Sequence, residues 1–484
     1  MLNWWRKKQE QPSTEASESA AQPAQVAPSA QTEIEQNVPN NQGQVIGQIT
    51  GGTAIGTQTI NNILPTPTPS LSGIPSNLQE RGSRTFVGRD ETLENLHAKL
   101  QTSQTLAITA LQGMGGIGKT EMAVQYAQQY KEQYPSGVCW LSARGAEVGT
   151  QLVNFAVSVL GLPQPEGELK DQVQSVWNRW PQQEDGDRVL LVYDDVADYG
   201  EIAELMPAAE RFQVLLTTRL QNLAAGVEDF RLELLSEEAS LELLRKIVGP
   251  PRIDAELAIA KALCERVGYL PLGLELLGYF LKNKPSMSLA KLEQRLEKNR
   301  IHAKAFQAAH PGMTAKLGVY EAFELSWTEL SEAGQGIALW LSLFGLAPIP
   351  WTLAVAGVDE DNQDDWEDTR DGELLKLSLL RDLGGESYQL HQLVREFLWA
   401  KLEEQGEVES LKANYCGLMS GLAQQMPQSP TQELIGQLSL LVPHMQEAAV
   451  RWQDSLGDGE NELLWPFVFL ARFYEGQGAY GDAE

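Results

Sequence analysis

Residues 113–120 read Gly-Met-Gly-Gly-Ile-Gly-Lys-Thr, which fits the pattern GxxxxGK[ST]. Glycines in such a turn let backbone N–H groups converge on a polyphosphate without Cβ clashes. The lysine can then reach the β- and γ-phosphates, and the threonine can ligate Mg²⁺. We therefore predict a phosphate loop, with Lys119 as a catalytic residue and Thr120 as a metal ligand. The predicted nucleotide-binding residues of this segment are Gly113, Gly115, Gly116, Ile117, Gly118, Lys119, Thr120 and Glu121.

The segments on both sides of the loop support this prediction. Residues 106–111 form an apolar run that indicates a buried strand. The residues that follow carry apolar side chains at helical spacing, and the N-terminus of that helix would face the phosphates. The same glycines also fit GxGxxG, but a dinucleotide-binding fold would place an acid at the end of the next strand. The residues there, 142–144, are Ser-Ala-Arg, so the phosphate loop is the favoured interpretation.

Composition excludes several classes of protein. The 484 residues are enough for two to four domains, and a net charge of -28 argues against generic nucleic-acid binding. The three cysteines are widely separated, with no metal-ligand spacing, which suits a reducing cytoplasm. No run of 18 apolar residues occurs, so we expect no membrane span. We therefore expect a cytoplasmic protein that binds no nucleic acid.

The N-terminal region, residues 1–82, is of low complexity and is predicted to be disordered. It is rich in Gln, Ser, Pro, Ala and Thr, and residues 36–79 carry no charged side chain. Within it, residues 43–63 form a β-branched, uncharged, proline-free island with an internal echo nine residues apart. That composition favours stacked cross-β ladders, although a low-complexity linker explains it equally well.

From residue 84 the pattern is that of a folded α/β protein. Short apolar runs at 138–141, 189–193, 214–217 and 230–234 alternate with helical patterns, which predicts a parallel sheet flanked by helices. Strand signals vanish after about residue 236, and the remainder is predicted to be helical.

Two strand ends carry further candidate residues. Asp194 and Asp195 follow the run at 189–193: Asp194 would hold Mg²⁺ through water, and Asp195 would orient the attacking water as a catalytic residue. Arg219 follows the run at 214–217. An arginine at this end of a parallel strand faces the ligand crevice and could sense the γ-phosphate.

The order of these motifs resembles that of the NB-ARC branch of the STAND P-loop NTPases. The segment Phe86-Val87-Gly88-Arg89 resembles the entry motif of that family, whose backbone borders adenine. Residues 268–274 resemble its GLPL motif, in which the proline, here Pro271, packs on the base. Tyr269 interrupts the usual start of that motif, and Gly273 stands where alanine is common.

Residues 388–395 resemble the Met-His-Asp region of the family's winged-helix domain. The resemblance implies that His391 contacts the β-phosphate of ADP and ties the winged helix down over the site. Leu390 replaces the methionine, and Gln392 replaces the aspartate. A lock that needs a carboxylate at this position is therefore in question.

We predict six segments along the chain. An α/β P-loop NTPase core with a parallel sheet follows the N-terminal region, and helical and winged-helix domains come next. The N-terminal region spans 1–82 and the P-loop core 84–235. A helical domain spans 236–318, the winged-helix domain 319–402, a helical linker 403–462 and the last segment 463–484. The last segment resembles the start of a tetratricopeptide repeat, which implies a fragment or a truncated copy of a longer protein.

The resemblance implies a signalling switch in bacterial defence or regulated cell death, closed with ADP and opened by exchange for ATP, with Mg²⁺ as cofactor. We expect the open form to self-associate into a homo-oligomer. The C-terminal repeats would bind the trigger, and the N-terminal island would recruit an effector. Two alternatives stay open: a transcriptional regulator with the same ATPase core, and a continuously cycling ATPase motor. In the switch, ATP hydrolysis would at most be slow.

Overall fold

The structure is a computed structural model that describes residues 73–78, 86–110, 115–144, 148–183, 187–220, 223–224, 226–298, 317–358, 360–404, 408–455 and 464–477. The candidate cross-β island at 43–63 and Gly113 of the phosphate loop lie outside the described residues. The described part of the chain belongs to one compact unit, Gln58–Glu484.

A five-stranded parallel sheet forms the centre of the first half of the chain. The strands are β1 (Thr105–Ala110), β2 (Val138–Ser142), β3 (Val189–Val196), β4 (Phe212–Thr218) and β5 (Glu228–Leu232), in the spatial order β2-β3-β4-β1-β5. The predicted parallel sheet is thus confirmed, with the last strand beginning two residues earlier than predicted. Strands β3 and β4 are almost wholly buried, as expected of continuous apolar runs covered on both faces.

Helices connect and cover these strands. They are α1 (Asp90–Thr102), α2 (Lys119–Gln129), α3 (Val148–Ser158), α4 (Leu169–Arg179) and α5 (Tyr199–Ala203). A short 3-10 turn, Lys131–Gln133, follows α2. Asp198 caps α5 by accepting a hydrogen bond of 2.7 Å from the backbone N–H of Gly200.

The outer edge of β2 is covered by the chain just before the folded core. The backbone N–H of Val138 donates to the carbonyl of Pro75 at 2.9 Å. Asn77 then pairs with Trp140 as a strand residue would: its Oδ1 accepts from the Trp140 N–H, and its Nδ2 donates to the Trp140 carbonyl. The sheet edge is therefore closed by residues 75–77 rather than left open to another chain.

A helical region follows the sheet and returns the chain to the phosphate loop. It contains α6 (Glu237–Val248), α7 (Pro250–Ala255), α8 (Leu257–Arg266), α9 (Pro271–Asn283) and a helical segment over residues 289–298. Between α8 and α9, Gly268 and Tyr269 both adopt left-handed φ angles, 65° and 56°. This sharp turn ends α8 and lets Pro271 open α9, where its fixed φ suits the first helical position.

Residues 317–404 form the winged-helix region. Its helices are α10 (Leu317–Glu329), α11 (Glu332–Ser342), α12 (Trp351–Ala354), α13 (Glu360–Thr369), which runs on into a π-helical turn at Arg370–Leu375, and α14 (Gln392–Glu404). Its antiparallel sheet contains β6 (Ile349–Pro350), β7 (Arg381–Gly384) and β8 (Ser387–Gln389) in the order β6-β8-β7. The prediction that no strand follows residue 236 is therefore wrong. These strands have two to four residues each, too few for an alternating pattern to be visible in the sequence.

The remaining described helices pack back onto the core. They are α15 (Val408–Gln424), α16 (Gln432–Leu438), α17 (Val442–Gln446), continued by a π-helical turn at Glu447–Arg451 and a 3-10 turn at Gln453–Ser455, and α18 (Trp465–Gly476). Gln477, which is buried, accepts a hydrogen bond from Thr150 of α3, and its carbonyl accepts one from Gln172 of α4. The described helices include none that is both long enough and apolar enough to cross a membrane.

Candidate functional site

The carboxyl ends of four parallel strands meet at one edge of the sheet. The phosphate loop follows β1, Asp194 and Asp195 end β3, Arg219 follows β4, and Arg144 follows β2. We call the space along this edge the phosphate crevice. The topology alone brings these residues together, since neighbouring parallel strands end on the same side.

The described part of the phosphate loop, residues 115–118, is tightly packed. Gly116 and Gly118 have φ angles of 75° and 95°, in the left-handed region that glycine tolerates. A Cβ added to Gly115 would lie 3.2 Å from the Arg219 guanidinium, and one added to Gly116 would lie 3.2 Å from Leu272. The loop therefore needs glycine both for its backbone angles and for its close neighbours.

Oxygen atoms suited to Mg²⁺ lie beside the loop. The Thr120 hydroxyl donates to Asp194 Oδ1 at 2.9 Å, and the Thr217 hydroxyl donates to the same oxygen at 2.5 Å. Burial, opposed by these hydrogen bonds, raises the pKa of Asp194 to about 6. A cation bound beside this buried carboxylate would stabilise its charged form.

Asp195 sits in an unusual backbone conformation. Its φ is 58°, and the pairing of β3 with β4 shifts register between Tyr193 and Val196. The Asp195 N–H donates to the Thr217 hydroxyl oxygen at 2.8 Å, and its carboxylate lies 3.0 Å from Arg144 Nε. Backbone strain of this kind persists only where surrounding contacts enforce it, and it clusters at functional sites.

Positive charge dominates the crevice. Burial, followed by the neighbouring charge of Arg219, lowers the pKa of Lys119 to about 8, although Asp195 and Asp194 oppose the change. Burial also lowers the pKa of Arg219, and Arg144 acts in the same direction. Cations that destabilise one another in this way are suited to an anionic ligand.

The winged-helix region closes over the loop from the opposite side. Leu393, the second residue of α14, lies against the loop: Cβ atoms added to Gly115 and Gly116 would lie 3.2 and 3.4 Å from its side chain. Gln392 accepts a hydrogen bond of 2.9 Å from Arg144 through its Oε1. Arg381 of β7 pairs with Glu121 of α2 at 2.8 Å. Glu121 of the phosphate-loop segment therefore forms an ion pair with the winged-helix region.

His391 precedes α14 and acts as its cap. Its Nδ1 accepts a hydrogen bond of 3.1 Å from the Leu393 N–H, so the neutral ring carries its proton on Nε2. Enclosure by protein atoms, together with the charges of Arg219, Lys119 and Arg381, lowers the pKa of His391 to about 3. His391 is nevertheless exposed to solvent, and the three cations keep its ring neutral at pH 7.

Pro271 lies beside the loop, as the resemblance implied for a residue of the site. A Cβ on Gly118 would be 4.0 Å from its ring, and the neighbouring Leu272 N–H approaches the Gly116 carbonyl at 3.4 Å. Gly273 also has a structural reason to differ from alanine. A Cβ at this position would lie only 2.7 Å from Val267 Cβ, so a methyl group would displace that side chain.

The entry segment packs against α6. Gly88 has a φ of 64°, and a Cβ there would lie 2.3 Å from Ala239 Cβ. Arg89 is buried, and its guanidinium donates to the carbonyls of Glu233 at 2.8 Å and Ile117 at 3.4 Å. Burial lowers the pKa of Arg89 to about 10. Val87, Gly88 and Arg89 are thereby fixed next to the loop, with Arg89 tied to the loop backbone.

Three residues of this site were not predicted. Arg144 appeared only in the Ser-Ala-Arg segment after β2, Arg381 carried no motif, and Leu393 lay within residues 388–395 without an assigned role. Arg144 and Arg381 contact residues 248 and 260 positions away in the chain, a separation at which local patterns carry no signal.

The residues fit a nucleoside polyphosphate with Mg²⁺. Lys119 and Arg219 supply cations beside glycines that keep the backbone accessible, and Thr120 and Asp194 supply hard oxygen ligands. Among the described residues, no group of three or more His, Cys, Asp or Glu side chains could hold a metal ion. Mg²⁺ would therefore have few protein ligands here, as is usual where phosphates and water complete its shell.

A parallel sheet, a glycine loop that opens a helix and an acid near the end of β3, two strands away from β1, define a P-loop nucleotide-binding protein. Comparison with known families agrees, since the sequence model of the NB-ARC domain matches residues 89–254. Residues 89–254 are therefore similar to NB-ARC domains, and the five-stranded sheet lies within this part of the chain.

Individual relatives cover different parts of the chain. Regulatory protein AfsR of Streptomyces griseus is 28% identical over 327 residues, which is 66% of this chain and 32% of that protein. Probable disease resistance RPP8-like protein 2 of Arabidopsis thaliana is 26% identical over 45% of this chain and 24% of that protein. The chain thus spans between a quarter and a third of the length of these relatives. A STAND protein with a tetratricopeptide repeat sensor from Pyrococcus horikoshii has a TM-score of 0.47 at 16% identity, covering 84% of this chain and 58% of that one.

Proposed function

We propose that this chain is an ATP/ADP-operated signal-transduction switch that is closed with ADP and oligomerises on exchange for ATP. We place it in bacterial defence or regulated cell death and in the cytoplasm. The observations that carry the proposal are the contact of Leu393 with the phosphate loop and the hydrogen bond from Arg144 to Gln392. A nucleotide in the crevice would touch the sheet, α9 and the winged-helix region at once.

The residues of the crevice would have separate roles in nucleotide binding and hydrolysis. Lys119 and Arg219 attract the phosphates, Thr120 and Asp194 hold Mg²⁺, and Pro271 with residues 87–89 borders the base. Mg²⁺, when bound, neutralises phosphate charge. Asp195 orients water for slow hydrolysis, and His391 offers Nε2–H as a hydrogen-bond donor to an ADP phosphate.

A bound nucleotide would stabilise the closed form by mass action. At a concentration about a thousandfold above its Kd, a ligand contributes roughly 4 kcal/mol. Exchange of ADP for ATP changes the state of the switch only if the two ligands contact the domains differently. His391 and Arg219 supply that difference, because they reach the crevice from the winged-helix region and from the sheet.

The decisive experiment identifies the nucleotide that purified protein carries, released by denaturation and separated by chromatography. We expect near-stoichiometric ADP in the wild type and none in Lys119→Ala. Lys170→Ala is the matched control, because this exposed lysine pairs with Glu204 and lies outside the crevice. An empty wild-type site with turnover near 1 s⁻¹ or faster would point to a motor and overturn the switch.

A transcriptional regulator is the second candidate, favoured by the similarity to a protein named as a regulatory protein, AfsR. The acidic α13 and the net charge of -28 oppose generic DNA binding. Retention of duplex DNA at 150 mM salt would support this candidate; loss of binding at that salt would leave the switch as the better explanation.

A further inference from the structure

Arg144 connects two parts of the chain that no motif relates. Its Nε lies 3.0 Å from Asp195 Oδ2, and its Nη1 donates to Gln392 Oε1 at 2.9 Å. The first partner ends a strand of the sheet, and the second begins α14 of the winged-helix region. One guanidinium therefore contacts both sides of the crevice, through an ion pair at Nε and a hydrogen bond at Nη1.

Both partners of Arg144 lie where a small movement would change the crevice. Asp195 is held at a φ of 58° with its carboxylate turned to Arg144. Gln392 lies between His391 and Leu393, and Leu393 packs on the phosphate loop. Gln392 is itself oriented by a second hydrogen bond, from its Nε2 to Glu396 Oε1 at 2.8 Å.

We propose that Arg144 is a positioning residue that holds Asp195 and Gln392 together in the closed state and gives both up when a terminal phosphate enters the crevice. Release of Gln392 would loosen α14, and release of Asp195 would free its carboxylate. This inference rests on the proposed function and names the residue that regulates its site.

The charges of the crevice favour such a competition. Arg144 is near enough to Lys119 and Arg219 to oppose their protonation, so it lies within the same positive field that would attract a phosphate. Its side chain is only a quarter exposed, so little water screens this interaction. The bond to Gln392 ends on a neutral amide oxygen, which holds a guanidinium less strongly than a carboxylate does. A phosphate would therefore break this link before any ion pair within the protein.

The test is a double-mutant cycle with two readouts. Hydrogen exchange of the backbone amides of residues 395–398 reports opening of α14 in the protein as purified, and release of fluorescent ADP reports opening of the crevice. We expect Gln392→Ala to accelerate both by about 3- to 10-fold, as the loss of one hydrogen bond implies. Arg144→Ala combined with Gln392→Ala should accelerate both by less than the product of the two single effects, because the two substitutions remove one bond in common.

A charge-matched swap gives the opposite sign. The double variant Gln392→Glu and Glu396→Gln preserves the net charge and the bond between these two positions, but it presents a carboxylate to Arg144. Both rates should then fall below those of the wild type, whereas a purely structural role for Gln392 predicts that the swap accelerates them. Lys170→Ala again serves as the control, with both rates unchanged.

Two results would overturn the proposal: multiplicative effects of the two alanine variants, or a swap that opens α14 faster. Hydrogen exchange needs no added nucleotide, so it tests the Arg144 link separately from the proposed function. If the wild type carries ADP and the cycle shows no coupling, the switch stands and the Arg144 link fails. If the site binds no nucleotide, the switch fails, and hydrogen exchange alone still decides whether Arg144 ties α14 to the sheet.

Discussion

His391 caps a helix of the fold and, in the proposed switch, would also bind a phosphate of the nucleotide. Its Nδ1 accepts the Leu393 N–H and so satisfies one of the free donors at the start of α14. The neighbouring cations keep the ring neutral, so this acceptor is present at physiological pH. A role in capping and a role in phosphate binding can therefore be separated only by a variant that keeps the cap.

Asparagine at position 391 is such a variant, because its side-chain oxygen accepts a backbone N–H at a helix start. We expect His391→Asn to melt at nearly the wild-type temperature but to release ADP about 10- to 100-fold faster, as loss of a hydrogen bond to a charged phosphate implies. His391→Ala should show the same fast release together with a stability loss of about 1 kcal/mol. Release rates are measured by stopped flow with fluorescent ADP. Slow, wild-type release in His391→Asn would reduce His391 to a capping residue.

At the scale of elements, α17 is joined to the winged-helix region through His444. This fully buried ring accepts the Gly345 N–H on Nδ1 at 3.1 Å, and Nε2 lies 3.1 Å from the Pro348 carbonyl. Only the neutral tautomer with a proton on Nε2 satisfies both bonds. Burial lowers the pKa of His444 to about 4; Arg395 acts in the same direction, and the Pro348 carbonyl opposes it.

Stability should therefore depend on pH in a window fixed by this ring. The folded pKa lies below the unfolded value of 6.5, so the unfolded chain binds the extra proton and stability falls as the pH drops from 6.5 to about 4. A shift of this size corresponds to about 3 kcal/mol. Denaturant unfolding of the wild type and of His444→Gln at pH 7.5 and pH 4.5 measures it, because other titrating groups cancel in the comparison. Equal losses in both proteins would show that His444 does not carry the effect.

Sequence predicted the elements whose signals are local. The phosphate loop, the apolar strands and the acids at the end of β3 are contiguous patterns, and the parallel sheet follows from their alternation with helices. The strands of the winged-helix region were not predicted, because β6 has only two residues and β8 only three. The link from Arg144 to Gln392 was missed for another reason, since its geometry exists only after two distant segments have packed. Gln392 was recognised as a departure from the family, but its partner was not foreseeable.

Across the described part of the molecule, separate contacts join the winged-helix region and the C-terminal helices to the first half of the chain. Leu393 and Arg381 join the winged-helix region to the phosphate loop and α2. Gln477 joins the C-terminal helices to α3 and α4, with Gly436 of α16 beside Asn154. Packed interfaces of this kind tend to change as units rather than by gradual deformation. Opening of the crevice should therefore be cooperative with release of the C-terminal helices.

The net charge of -28 sets the conditions under which open molecules can assemble. Copies of so acidic a chain repel one another over a Debye length of about 10 Å at 0.1 M salt, and this repulsion falls as salt rises. We expect the form loaded with a non-hydrolysable ATP analogue to shift toward oligomers as NaCl increases from 50 to 500 mM, while the ADP form stays monomeric throughout. Light scattering coupled to gel filtration measures both masses, with Lys119→Ala as a control that stays monomeric at either salt. If oligomers instead dissolve at 500 mM, attraction between opposite charges holds the protomers together, and the idea that self-repulsion limits assembly must be given up.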